Sequence, residues 1–231
     1  MARIPIPPFI SKAQRFRSPG RPRRSEQMDV KRALLDAAEH MLADQDFSAF
    51  SLRECARLAG VSYTLPAHYF GDRGGLLSQL LIRSYDELAR SIRLSIAPYP
   101  DDAMMALRLT AKIYVLHSLR DAHIFALIHQ RREIDRSYPD LIRAFNDVHA
   151  LLFNAMFNVV KLRGGLFNRG SIARLNMATS AIFGYLELML QGDLGAAFVG
   201  RGRQSGRMAL SVRILIESII DEMIMILQDE K

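Results

Sequence analysis

The sequence predicts an all-α fold, and three observations carry the prediction. Apolar residues recur with the 3.6-residue period of a helix along most of the chain. No stretch shows the two-residue alternation of a half-buried strand. Ser, Asp, Gly and Pro stand where helices would be capped and stopped. A chain of 231 residues, 49% hydrophobic and 24% charged, has the balance of a globular protein and enough apolar material for one large domain or two small ones. The single cysteine, Cys55, excludes an internal disulfide framework and suits a reducing compartment. The most hydrophobic stretch, residues 214–227, is interrupted by Glu217, Asp221 and Glu222. It therefore falls short of the roughly 18 apolar residues that would cross a bilayer. The prolines at 5, 7 and 8 make the start a poor secretory signal, so a soluble cytoplasmic protein is expected.

Charge is unevenly placed. Residues 1–27 hold seven basic side chains (Arg3, Lys12, Arg15, Arg17, Arg21, Arg23, Arg24) against Glu26, so six of the seven net positive charges lie in this arm. Rich in proline and polar residues, residues 1–28 cannot bury enough surface to fold alone. A basic arm ahead of a neutral body commonly serves nucleic acid, although a solubilising tail or a membrane-surface tether has the same composition.

The elements follow in order. From Asp29, Val30, Leu34, Ala37, Ala38, Met41 and Leu42 recur at helical spacing and predict a helix to about Asp44. Ser51-Leu52-Arg53-Glu54 has the form of a capping box, with the Ser51 hydroxyl taking the Glu54 amide and the Glu54 carboxylate returning to the Ser51 amide. Gly60 ends that short helix in left-handed geometry, and Val61 plugs the angle after it. Ser62 is the expected cap of a further helix of about ten residues, which places Pro66 at its fourth position, where it forfeits one backbone bond. Two helices joined by a three- to four-residue turn make a helix-turn-helix over residues 29–75, whose second helix offers its first residues to the major groove.

A connector helix follows over residues 76–100 and ends at Pro98 and Pro100. Residues 101–231 form a second helical domain. Asp101-Asp102 opens a helix that is apolar nearly all round, and residues 123–134 form another. Ser137 and Asp140, at capping-box spacing, start a helix running to Lys161 with Pro139 in its first turn. The last two helices, near 171–191 and 207–228, flank a glycine-rich loop. In the final helix Arg213, Glu217, Asp221 and Glu222 form one narrow polar stripe, and isoleucine, leucine and methionine cover the rest. A second surface must bury that excess, and a two-fold partner is the common solution.

Residues 33–81, with "LLDAA", "FSAFSLRECARLAGVS", "HYF" and the following "LL" in register, resemble the N-terminal DNA-binding domain of the TetR family of bacterial transcriptional regulators. The resemblance covers about a fifth of the chain. It implies a three-helix DNA-binding domain, a C-terminal helical ligand-binding and dimerisation domain, and a homodimer through the last two helices of each subunit. Two departures stand out: Ala67 replaces a tyrosine that contacts phosphate in the family, and Gly74-Gly75 replaces helix-forming residues, which would loosen the hinge.

By chemistry, Tyr63, Thr64 and His68 are candidates for base edges. Ser51, Arg53, Tyr69 and Arg73 suit phosphates, and Ser62 belongs to the same DNA-facing set. Tyr69 could equally be packed, and His68 could be a solvated surface side chain. Val61, Leu65 and Phe70 read as core, and Cys55 as an inert packing residue. In the arm, Gly20-Arg21-Pro22-Arg23, followed by Arg24, resembles an AT-hook core suited to a narrow minor groove.

The expected function is sequence-specific binding of double-stranded DNA by a bacterial, nucleoid-associated repressor, released by an unidentified small molecule. A DNA-bound adaptor with a protein-binding second domain is the alternative. Met104, His117, Phe125, His129, Phe153 and Met177 are candidate pocket residues on otherwise apolar helices. No metal site, cofactor, membrane partner or enzymatic activity is expected: the six-residue spacing of His117, His123 and His129 does not share a helical face, and no catalytic or phosphate-binding motif occurs. Deleting residues 1–24 should weaken DNA binding and flatten its dependence on salt, read as the slope of affinity against ionic strength; an unchanged slope would remove the arm from the phosphate contacts.

Overall fold

The computed structural model describes residues 24–44, 50–127, 138–162, 169–190 and 205–228. Arg21, Arg23, His129, Ser137 and the glycine-rich loop lie outside them. Every regular element among the described residues is helical: α1 (Arg24–Asp44), α2 (Leu52–Leu58), α3 (Leu65–Phe70), α4 (Arg73–Ile96), α5 (Ala103–Arg120), α6 (Ala122–Ala126), α7 (Pro139–Leu162), α8 (Arg169–Leu190) and α9 (Ser205–Gln228). The first helix begins before Asp29, so Arg24 belongs to α1 and not to the arm. The connector begins at Arg73 rather than residue 76, because Asp72 caps it by accepting from the Gly75 amide at 2.8 Å.

Helices α1 to α3 form a small head. Leu34, Ala38, Met41, Phe50, Cys55 and Phe70 close its core beneath Leu76, Leu77 and Leu80 of α4. Fully burying a leucine of this kind contributes about 2 kcal/mol. The outer side of the head is fastened to α4 by polar groups: Arg83 reaches both Asp36 and Glu39 of α1, and the Lys31 ammonium donates to Gln79 at 2.9 Å.

Helix α4 then enters the body and packs along α5 and α7, with Tyr85, Leu88 and Ile92 buried. Helices α8 and α9 lie together against α5. Two acids of the polar stripe on α9 turn towards α5, where Glu217 meets Lys112 at 2.5 Å and Asp221 meets Arg108 at 2.7 Å; Glu222 takes the Tyr185 hydroxyl of α8 at 2.9 Å. The polar stripe is thus partly the seam between α9 and its neighbours. Ile214 and Met225 remain exposed on α9, and Ile172, Met177 and Leu188 on α8.

The turn from α3 into α4 is tight. Gly71 has φ 77° and ψ −72°, and the Asp72 amide donates to the Phe70 carbonyl at 3.0 Å, which makes Gly71 the centre of a positive-φ γ-turn. One turn into α4, a β-carbon on Gly75 would stand 2.0 Å from the Phe70 carbonyl oxygen. This corrects the expectation that Gly75 loosens the hinge: glycine is there because two backbones meet. Gly75→Ala should destabilise the protein by about 3 kcal/mol, since backbone must move. Gly60→Ala, with φ 67° but open space around it, should cost only about 1 kcal/mol. Chemical denaturation of the two variants checks the order.

Candidate functional site

The candidate nucleic-acid interface is built from α2, its turn and α3. Ser51, extended before α2, accepts from the Glu54 amide at 3.2 Å. The reciprocal half of the capping box does not form, because the Glu54 carboxylate takes the Arg57 side chain in two contacts of 2.5 and 2.9 Å. That bidentate partner holds the Glu54 carboxyl below its ordinary range. At the other end, the Gly60 amide donates to Arg57 and the Val61 amide to Ala56, the paired bonds of a Schellman stop.

The next helix starts later than Ser62. Thr64 is its N-cap, without a side-chain bond to the helix amides, and Pro66 is its second residue. Ser62 instead begins a turn, its carbonyl taking the Leu65 amide at 3.0 Å and its hydroxyl standing 3.1 Å from that of Thr64. Pro66 is therefore harmless, since an amide in the first turn has no partner within the helix. It also works as packing: Pro66 and Phe70 are buried, and Leu65 and Tyr69 are half-buried against the core.

What remains outward is polar. Ser51, Arg53, Ser62, Tyr63, Thr64, Ala67 and His68 are exposed. The Arg53 guanidinium lies over the Tyr63 ring at 5.2 Å, and His68 meets Tyr69 edge to face at 5.2 Å. An exposed cation–π contact is worth about 0.5–1 kcal/mol, little enough for Arg53 to exchange Tyr63 for a phosphate. Arg73, half-buried, has its guanidinium 5.5 Å from the Phe50 ring, at the edge of this surface. Cys55 is fully buried with its thiol on the Leu34 carbonyl, and burial pushes that thiol up to about 11, in keeping with inert packing.

Of the candidate pocket residues, His117 and Phe125 line one cavity, together with Leu81, Ser84, Tyr85, Leu88, Ser118 and Asp121. It lies among α4, α5 and the start of α6. Its volume of about 10 Å³ is room for a single water. Met104 is half-buried at the start of α5, while Phe153 and Met177 are exposed on α7 and α8 and do not line it. Ser84 and Asp121 carried no signal in the sequence, because a cap-like aspartate and a mid-helix serine are common.

The polar wall of the cavity is organised by His117, which is only 8% exposed. Its Nδ1 faces an Arg120 nitrogen at 3.1 Å, and a guanidinium can only donate, so Nδ1 is the acceptor. The proton is therefore on Nε2, which donates to the Ser84 hydroxyl at 3.0 Å, with Asp121 further off at 3.5 Å. Carboxylate and hydroxyl share one ring nitrogen, so this is no nucleophilic triad. Burial lowers the His117 pKa, Asp121 opposing and Arg120 assisting. Burial alone would raise the Asp121 carboxyl, but its hydrogen bond to Arg120 and the neighbouring charges hold it below its ordinary value. A second imidazole, His149, lies between Phe145 at 3.7 Å and Phe183 at 5.6 Å. It donates from Nδ1 to the Phe145 carbonyl at 2.8 Å, and burial lowers its pKa too.

A capped pair of short helices presenting the start of its second member, joined by a long helix to a helical body, defines a helix-turn-helix protein. Residues 34–80 match the family model for bacterial regulatory proteins of the tetR family. The chain is 38% identical over 81 residues to the HTH-type transcriptional regulator BetI of Rhizobium meliloti (strain 1021), a match covering 35% of this chain and 34% of that one. The match thus spans about a third of the length of that curated relative. In fold it is similar to a TetR family transcription regulator from Marinobacter aquaeolei VT8, with a TM-score of 0.58 at 19% identity over 86% of this chain and 97% of that one. It is also similar to HlyIIR, a hemolysin II transcriptional regulator, with a TM-score of 0.57 at 14% identity over 88% and 99%. No helix among the described residues is long and apolar enough to cross a membrane.

The buried imidazole of His117 and the half-buried one of His149 set a pH dependence. In the unfolded chain both titrate near 6.5, whereas the folded protein keeps them neutral to lower pH. Below about pH 6.5 the unfolded state therefore binds more protons, and stability falls with pH until the folded-state values are passed. Thermal unfolding at pH 7.5 and 5.5 should show this loss, and His117→Gln should reduce it.

Proposed function

We propose that the chain is a homodimeric, sequence-specific DNA-binding transcriptional regulator, a repressor that a small-molecule ligand releases from a pseudo-palindromic operator. The observation that carries this reading is the exposed polar start of α3, where Ser62, Tyr63 and Thr64, with His68 one turn on, stand above an apolar underside. Tyr63, Thr64 and His68 read base edges in the major groove. Ser51, Arg53, Tyr69 and Arg73 hold phosphates, and Ser62 closes the same surface. Arg21 and Arg23 in the arm, with Arg24 at the start of α1, reach the adjoining minor groove. The protein acts by binding, in the cytoplasm of a bacterium and on its nucleoid.

Two copies join through α8 and α9. Ile172, Met177 and Leu188 on one helix and Ile214 and Met225 on the other are the apolar surface that a two-fold partner would cover. The ligand site is the region around His117 and Phe125, where the convergent groups of Ser84, His117 and Asp121 sit beneath Tyr85 and Phe125. Ligand pockets of drug-like size hold roughly 300–1,000 Å³. A ligand therefore binds by opening the junction of α4, α5 and α6, which shifts the population towards a conformer whose heads no longer match successive major grooves.

Selection of bound sequences from random duplex DNA by the full-length protein should yield a two-fold pseudo-palindrome. Failure to enrich any sequence with folded protein would overturn the reading. On the selected operator, Tyr63→Ala and Thr64→Ala should each cost about tenfold or more in affinity and relax specificity at particular base pairs, whereas Arg53→Ala should weaken all sequences alike and reduce the salt slope by about one.

A further inference from the structure

We propose that Tyr138 is a positioning residue for DNA recognition: its ring, planted at the start of α7, props the corner between α3 and α4 and so fixes the half-site spacing that the dimer accepts. The proposal rests on the reading of the chain as a dimeric operator-binding protein.

The corner has little freedom of its own. Gly71 turns it in a γ-turn, the Gly71 amide holds the last turn of α3 through the Ala67 carbonyl at 2.9 Å, and Asp72 caps α4 on the Gly75 amide. At Gly75 the α4 backbone meets the Phe70 carbonyl directly. Tyr138 reaches that same spot, its hydroxyl oxygen standing 3.0 Å from where a Gly75 β-carbon would be. The ring comes from the body of the protein, not from the head.

Its base is fixed as firmly as its tip. The Tyr138 carbonyl accepts from the Leu141 and Ile142 amides, both at 3.1 Å, so the residue is bonded onto the first turn of α7. The ring is half-buried against the core. Further along, α7 is fastened to α4 by Phe145 edge to face with Tyr85 at 5.9 Å and by Asp147 with Arg93 at 3.6 Å. A shift of α7 along α4 therefore drives the Tyr138 hydroxyl against backbone that cannot yield, or withdraws it. The exposed start of α3 lies about 9 Å of helix from the corner. One base pair of spacing is about 3.4 Å along the duplex, so a modest swing of each unsupported head would accommodate it. With the prop in place that swing is blocked.

The test uses the full-length protein and operator duplexes rebuilt with their half-sites one base pair closer and one further apart. The wild type should bind the altered duplexes about tenfold or more weakly than the optimum, Tyr138→Ala should level this to about twofold with cooperative unfolding kept, and Tyr138→Phe, which keeps the ring but lacks the hydroxyl at the corner, should fall between the two. Tyr138→Leu serves in place of the alanine variant if that chain does not fold. Retained discrimination, or an equal loss on all duplexes including random ones, would overturn the proposal. A measurement without DNA separates this from the functional reading. Nitroxide labels on Arg57→Cys and Leu116→Cys, both at exposed positions, report the head-to-body distance, while the buried Cys55 stays unlabelled. The distribution should broaden in Tyr138→Ala; an unchanged width would sink the prop even if no operator had been selected.

Discussion

Everything that faces outward on the head depends on one close approach of backbone to backbone. Where the chain leaves α3 for α4, the Phe70 carbonyl and Gly75 touch without a side chain between them. Because α3 has only six residues, it cannot be held by its own hydrogen bonds, and isolated helices of that length do not persist in water. It is held by Pro66 and Phe70 below it and by the corner beside it. The polar residues at its start can be exposed because nothing asks them to contribute to packing.

The body has a different economy of contacts. Its centre is aromatic: Tyr114 is edge to face with Phe125, His149 and Phe183, and His149 is stacked in turn on Phe145 and Phe183. Such pairs add about 0.5–1.5 kcal/mol each beyond burial and have defined geometry, so they fix how α5, α7 and α8 sit against one another. The polar cluster of Ser84, His117, Arg120 and Asp121 is confined to one end, where α5 meets the connector. A buried neutral imidazole that accepts from a guanidinium is a conditional contact, since a second proton would set donor against donor. The end of the body nearest the connector is thus its most chemically sensitive part.

Much of this was legible in the sequence, and the division follows the range of the interactions. The Ser51 cap, the Gly60 stop and the order of helices rest on contacts within one or two turns, which local spacing records, and the burial of Phe70 and Cys55 follows from their apolar positions on short helices. The start of α3 was misplaced because Ser62 and Thr64 are both plausible caps, and the buried contact of Pro66 decided between them. The Glu54 carboxylate went to Arg57 instead of the Ser51 amide because a bidentate ion pair one turn away is the stronger partner. Ser84 gave no warning and Gly75 was misread, since their partners are in other elements and no pattern of period 3.6 encodes a neighbour across a helix junction; Asp121 has local partners but looks like any helix-end aspartate.

The pairing of Arg83 with Asp36 and Glu39, with Lys31 on Gln79 beside it, makes α1 and α4 a single strut. Since α1 also carries the chain into the basic arm, the arm is rooted on the same strut that leads to α3. On the function proposed above, head and arm keep one phase relation on a duplex: a displacement of α4 translates both together, and the two cannot be tuned separately without first unlocking Arg83. Any change in how far the arm reaches must come from its own length, which makes arm length an independent variable for natural variation to act upon.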